Sequence, residues 1–137
     1  MGRLHFHHLG IVVPTIKSTV SKMNDIFDLN LATVKCEYEP EYDVDIELYS
    51  DSSGLVNYEF LCPRSELSPL WASLQKKRNL IHHLAYGSSR FEDSMTLLRK
   101  KGYFPLGDPV SAKLFGGNRV VFFMSPEGLV FELVEVE

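Results

Sequence analysis

The feature that most constrains this chain is a pattern that occurs twice at one offset. HHLGIVV at 7–13 returns as IHHLAYG at 81–87, so that His83 stands 75 positions after His8. Ile16, Val20, Met23 and Phe27 then make an apolar stripe at helical spacing, and Phe91, Met95 and Leu98 repeat its first three members, again 75 positions on. One helical stripe is ordinary core patterning. A histidine and three stripe positions sharing an offset indicate two copies of one supersecondary unit.

The remainder of each copy reads as strands. VDIELY at 44–49 alternates, Asp51-Ser52-Ser53-Gly54 supplies a turn, and LVNYEFL at 55–61 returns. In the second copy RVVFFM at 119–124, the turn Ser125-Pro126-Glu127-Gly128 and LVFELVE at 129–135 do the same. Ser89-Arg90-Phe91-Glu92 has the form of a capping box and Gly102 suits a helix C-terminus. Between the copies Ser68 and Pro69 are placed to open a short helix. With 137 residues and no long low-complexity linker, the expectation is a single α+β domain over 1–137. Module one runs over about 4–63, a linker helix over about 64–79 and module two over about 80–137.

Strand alternation selects the chemistry. If Leu9, Ile11 and Val13 pack on the helix, His8 and Gly10 face the other way. Likewise His83 and Ala85 face away from Leu84 and Tyr86. His7 and His82 fall on the apolar side as strand-end residues reaching solvent. The last strand of each copy carries one acid between bulky neighbours, Glu59 between Tyr58 and Phe60, and Glu132 between Phe131 and Leu133. Glu59 follows His8 by 51 positions and Glu132 follows His83 by 49. A lone carboxylate in an apolar strand is costly unless paired or metal-bound. His8, Glu59, His83 and Glu132 are therefore the expected metal ligands, a two-nitrogen, two-oxygen set suited to one divalent zinc, cobalt, nickel, manganese or iron ion.

Charge and composition exclude several classes. Lys plus Arg number 14 against 18 Asp plus Glu, a net charge of -4, which is the wrong sign for a nucleic-acid partner. No apolar run is long enough to span a bilayer, so no membrane partner is expected. The N-terminus enters a strand pattern directly, and Cys36 and Cys62 make no disulfide framework. A cytoplasmic chain with reduced thiols is the expectation.

HHLGIVVP, YEFLCP followed by LSPL, IHHLAYG, GGNRVVFF and GLVFELVE together resemble the vicinal oxygen chelate superfamily, over nearly the whole chain and in the same order. Within it the likeness is greatest to methylmalonyl-CoA epimerases and glyoxalase-like proteins. The resemblance implies paired βαβββ modules forming a curled mixed sheet around a central metal-binding cavity. It places the family's metal ligands on His8, Glu59, His83 and Glu132, the four that alternation selects, and it implies a homodimer. Leu67-Ser68-Pro69-Leu70, Leu80-Ile81-His82-His83 and Gly116-Gly117-Asn118-Arg119 carry the epimerase likeness. Asn79-Leu80 stands where glycine is usual, and the short Met124-Ser125-Pro126-Glu127-Gly128 turn is closer to glyoxalases.

The chemistry this implies is metal-dependent proton abstraction beside a carbonyl, an epimerase or isomerase acting on an acyl-CoA thioester. Glu132 is the first candidate base and Glu59 the second. Glu47 is a candidate opposing base if its strand face is inward; a solvated outer face is the competing reading. The alternatives are a glyoxalase-type lyase isomerising a thiol hemithioacetal, and an antibiotic-binding protein of the same fold, against which the retained ligands count. Four ligands also count against a ring-cleaving dioxygenase. Lys76-Lys77-Arg78 and Arg99-Lys100-Lys101 suit helix ends, with a CoA phosphate as a lesser reading. Trp71 is read as a core or dimer-interface residue. No substrate-binding residue is identified.

Overall fold

The computed structural model describes residues 4–76 and 80–137. Lys77 and Arg78 of the first basic cluster, and Asn79, lie outside the described residues. The described chain contains nine strands and three α-helices. In order these are β1 (Leu4–Val12), α1 (Ile16–Phe27), β2 (Ala32–Glu39), β3 (Val44–Ser50), β4 (Asn57–Pro63) and α2 (Trp71–Lys76). There follow β5 (Ile81–Ser88), α3 (Phe91–Lys100), β6 (Phe104–Pro105), β7 (Val110–Ser111), a 3-10 turn (Lys113–Phe115), β8 (Arg119–Met124) and β9 (Val130–Glu135). The class is α+β with a mixed sheet. Contacts divide the chain into a continuous unit, Leu9–His82, and a split unit made of residues up to His8 with His83–Glu137.

The continuous unit has the strand order β2-β3-β4-β1. β1 runs parallel to β4, with Gly10 opposite Glu59, and β4 runs antiparallel to β3, with Glu59 opposite Leu48 and Phe60 opposite Glu47. One face holds Val13, Tyr49 and Phe60 beneath Ile16, Val20 and Met23 of α1. The other holds Val12, Val44 and Leu61 beneath Leu70 and Leu74. Ile16 is buried and Val20 and Met23 are half-buried as their spacing requires, whereas Phe27, the fourth stripe position at the end of α1, is 63% exposed; the alternation of β1 holds. β4 begins two residues later than the pattern suggested. Asp51 N–H donates to Val56 O (3.1 Å), which extends the turn and leaves Leu55 on the surface.

The chain leading to α2 also differs from expectation. Ser68 accepts from the Trp71 N–H through its backbone oxygen (3.1 Å) and from the Leu70 N–H through Oγ (3.2 Å). The segment after Ser68 therefore spends one turn outside the helix, which starts at Trp71 rather than at Pro69.

In the split unit β5, β9, β8 and β6 are successive neighbours, and β7 also pairs with β8. The part of β1 up to His8 lies beside β5: Phe6 meets Tyr86 edge-to-face, and a Cβ on Gly87 would come 2.7 Å from His5 Nε2. β5 runs parallel to β9 with Ala85 opposite Glu132, and β9 runs antiparallel to β8 with Glu132 opposite Phe122. Phe91 and Met95 of α3 pack on Val121, Phe123 and Leu133. Ala85, Val120 and Val134 form the opposite face with Val110 and Phe115. In neither unit does the strand path close on itself.

The expected capping box at Ser89 does not form. The N-cap of α3 is Arg90, whose N–H donates to Ser88 Oγ (3.0 Å), while Ser88 Oγ also bonds Ser94 Oγ (2.6 Å). The buried hydroxyl one position earlier supplies the acceptor. At the other end Gly102 adopts φ +87° and Tyr103 N–H donates to Leu98 O (3.0 Å), the left-handed close that glycine permits.

Candidate metal centre

β1, β5 and β9 bring three titratable side chains to one point within the split unit. His8, His83 and Glu132 are 0%, 2% and 5% exposed. His8 Nε2 lies 3.1 Å from His83 Nε2 and 3.1 Å from Glu132 Oε1, and His83 Nε2 lies 3.4 Å from the same oxygen. The strands explain the convergence. His83 and Ala85 share a face of β5, and Ala85 stands beside Glu132, so the small side chain leaves space for the carboxylate. Phe122, directly opposite Glu132 on β8, packs edge-on to the His83 ring at 5.2 Å. Phe115 stacks on His8 at 5.7 Å with 26° between the planes.

This geometry fits a divalent cation. Donor bonds of about 2.0–2.2 Å leave neighbouring donors roughly 2.8–3.1 Å apart in an octahedral shell and roughly 3.3–3.6 Å apart in a tetrahedral one, and the three separations found are 3.1, 3.1 and 3.4 Å. Ionised carboxylate removed from water needs compensating positive charge, and apolar rings surround the group on two sides. The three residues are a buried His/Glu group suited to holding a metal ion.

Glu59 belongs to the continuous unit, where it is 3% exposed on the β4 face away from α1. Its register repeats that of Glu132: Glu59 stands opposite Gly10 in a parallel pair, as Glu132 stands opposite Ala85. Gly10 follows His8 by two positions on β1, and Ala85 follows His83 by two on β5.

One open alternative is decided and one sequence expectation is corrected. Glu47 is in register with Phe60, on the α1 face, so it points to the opposite side of the strands from Glu59. There it accepts a 2.6 Å hydrogen bond from Tyr49 Oη and lines an open cleft with Cys36, Cys62 and Arg64. Burial, with help from this bond, pushes the Tyr49 hydroxyl up to about 12. Burial first, and neighbouring carboxylates second, push both cysteine thiols up as well, which keeps them protonated. Glu47 is not placed to oppose Glu59 across a substrate.

The correction concerns His7. Alternation assigned it to the side away from His8, yet its Nδ1 lies 2.8 Å from His8 Nδ1 and its ring meets Phe115 edge-on at 5.2 Å. Alternation fixes the Cα–Cβ direction only; the two side-chain torsions carry the ring back. Sequence reasoning also missed Phe122 and Phe115 as walls. Phe122 was recoverable by pairing the strands across the 125–128 turn, whereas Phe115 lies in a 3-10 turn with no periodic signal.

The comparisons agree with the fold. Residues 7–122 match the model of the Glyoxalase/Bleomycin resistance protein/Dioxygenase superfamily. Among solved structures, a hypothetical protein from Bacillus halodurans is 27% identical with a TM-score of 0.81, over 99% of this chain and 95% of that one. Methylmalonyl-CoA epimerase from Mycobacterium tuberculosis is 21% identical with a TM-score of 0.81, over 96% and 87%. A variant of the Streptomyces coelicolor methylmalonyl-CoA epimerase, in complex with 2-nitronate-propionyl-CoA, is 25% identical with a TM-score of 0.77, over 96% and 93%. No curated protein matches the chain. The duplicated strand-helix-strand units, the buried His/Glu group and a match covering most of the sequence lead to one assignment: the chain belongs to the Glyoxalase/Bleomycin resistance protein/Dioxygenase superfamily.

Proposed function

We propose that the protein is a metal-dependent isomerase that abstracts a proton beside a carbonyl, of the methylmalonyl-CoA epimerase kind. The observation that carries this reading is the convergence of His8, His83 and Glu132 at 3.1–3.4 Å in a buried, aromatic-walled site. Glu59 is the proposed fourth ligand, because its register beside Gly10 duplicates that of Glu132 beside Ala85. A divalent ion held there would supply Lewis acidity worth several kcal/mol toward an enolate. His8 and His83 would hold it through Nε2. Glu132 is the proposed base, removing and returning the proton, a role worth roughly 10² to 10⁴ in rate, with Glu59 the second candidate. Phe115 and Phe122 exclude water from the imidazole side and so strengthen each polar contact.

An acyl-CoA thioester is the proposed substrate, supported by the Streptomyces coelicolor relative and its bound propionyl-CoA analogue. A glyoxalase-type lyase acting on a hemithioacetal is the second reading, favoured by the short turn at Ser125–Gly128, where Gly128 N–H donates to Ser125 O (3.0 Å). Solvent deuterium exchange by metal-reconstituted protein, offered methylmalonyl-CoA and methylglyoxal–glutathione hemithioacetal in parallel, separates them. Exchange at the thioester carbon without hemithioacetal isomerisation supports the first reading, and the reverse supports the second. Turnover of neither, with tight binding of one, makes the protein a binding module.

We further read the chain as one domain, with module one over about 4–63 and module two over about 80–137, working as a cytoplasmic homodimer. Family resemblance supports the paired modules and the homodimer; the reduced thiols of Cys36 and Cys62 support the compartment. Among the described residues no helix is long and apolar enough to cross a membrane. Light scattering of the purified protein tests the dimer.

A further inference from the structure

We propose that His7 is a positioning residue for this centre: His7 Nδ1 accepts the Nδ1–H of His8 and so holds His8 with Nε2 bare and correctly aimed. The inference rests on the metal reading above and goes beyond its ligand set. The two nitrogens of His8 have different surroundings. Nε2 faces His83 Nε2 and Glu132 Oε1, each at 3.1 Å, while Nδ1 faces His7 Nδ1 at 2.8 Å.

Two neutral imidazoles 2.8 Å apart share one proton between the facing atoms, which leaves two arrangements. If His7 donates, His8 carries its own proton on Nε2, directed at His83 and Glu132, and that nitrogen has no lone pair for a cation. If His8 donates, Nε2 is bare and points where the other donors converge. Ligation through Nε2 selects the second arrangement, so His7 must present an unprotonated Nδ1 and carry its proton on Nε2. Hydrogen bonds of this kind, to the far nitrogen of a ligating histidine, orient the ring and raise its basicity.

Phe115 makes the arrangement rigid. It stacks on His8 and meets His7 edge-on, so one ring contacts both imidazoles beside their shared bond. His8 is fully buried and His7 half-buried, and a hydrogen bond so sheltered gains strength from the low local dielectric.

Two substitutions distinguish this role from ring packing. His7→Phe keeps the aromatic contact with Phe115 and removes the acceptor; His7→Asn loses the ring but offers Oδ1 near the position of Nδ1. With Co²⁺ alone as the probe, titrated against a chelator, His7→Phe should weaken binding about 10- to 100-fold and His7→Asn should stay within about 3-fold of wild type. Nitrogen-15 correlation spectra of zinc-loaded wild type should show His7 protonated at Nε2 and bare at Nδ1. The reverse order of the two variants, equal affinity of His7→Phe and wild type, or a His7 proton on Nδ1 overturns the role of His7 while leaving the metal site standing. Failure of wild type to bind Co²⁺ or Zn²⁺ overturns the metal reading itself.

Discussion

Metal binding should appear as heat resistance, and the size of the effect follows from the fold. His8 and His83 are 75 residues apart in sequence and 3.1 Å apart through Nε2 in the folded chain. Unfolding separates them, so the denatured state offers no equivalent site. A cation that binds only the folded state stabilises it by RT ln(1 + [L]/Kd), about 2.7 kcal/mol at one hundred times Kd. Unfolding entropy near 60 °C is about 2.1 cal/mol/K per residue, which for 137 residues is about 0.29 kcal/mol/K. The expected rise in Tm is therefore about 9 °C. The assay is a thermal scan of chelator-stripped protein with Co²⁺ added in steps. His83→Ala removes one of the three converging donors and should cut the rise to below about 2 °C. Acidification should also reduce it, since a protonated imidazole has no lone pair to offer. A wild type whose Tm ignores the ion, or a His83→Ala protein that responds as strongly as wild type, refutes the reasoning.

Other consequences are equally direct. Glu132→Gln should slow thioester deuterium exchange by about 10² to 10⁴, measured by NMR under conditions that keep the variant metal-loaded. Glu47→Gln should leave that exchange within about 3-fold of wild type, because Glu47 faces α1; its effect should instead be to lower the Tyr49 hydroxyl from about 12, read by ultraviolet titration, although burial, the larger cause, keeps it above the ordinary value. Phe123, fully buried between α3 and the sheet, should cost about 3–5 kcal/mol on truncation to Ala, measured by urea unfolding. Hydrogen bonding from the Arg119 side chain, then from its backbone, holds the Glu135 carboxyl below its usual range. A carboxyl depressed in the folded state contributes stability above its unfolded pKa and loses it as pH falls through the folded one. Wild type should therefore exceed Glu135→Gln in stability at neutral pH, with the gap closing on the acid side of the ordinary carboxylate range in urea melts at stepped pH.

How much was legible in the sequence depended on whether the signal was periodic. The stripe of α1 from Ile16 to Met23, and that of α3, from Phe91 to Leu98, were readable because a helix buries one face at a fixed interval; Phe27 continues the α1 spacing yet stays on the surface. His8, His83 and Glu132 were readable because strand neighbours alternate and because duplication showed the pattern twice. β2, Ala32–Glu39, went unread: it is an edge strand whose first five residues are exposed, so burial imposed no apolar alternation on it. β6 and β7, two residues each, are too short to carry a period.

The sequence by itself therefore determined the duplicated plan, the helices, most of the strands and the sides on which four site candidates stand. Tertiary structure alone decided that Glu47 faces α1, that Ser88 rather than Ser89 serves the start of α3, and that His7 turns its ring back onto His8. The division has one physical cause. Periodicity is a property of the backbone and is written along the chain, whereas register, turn length and ring torsions are chosen by whichever groups distant segments bring alongside.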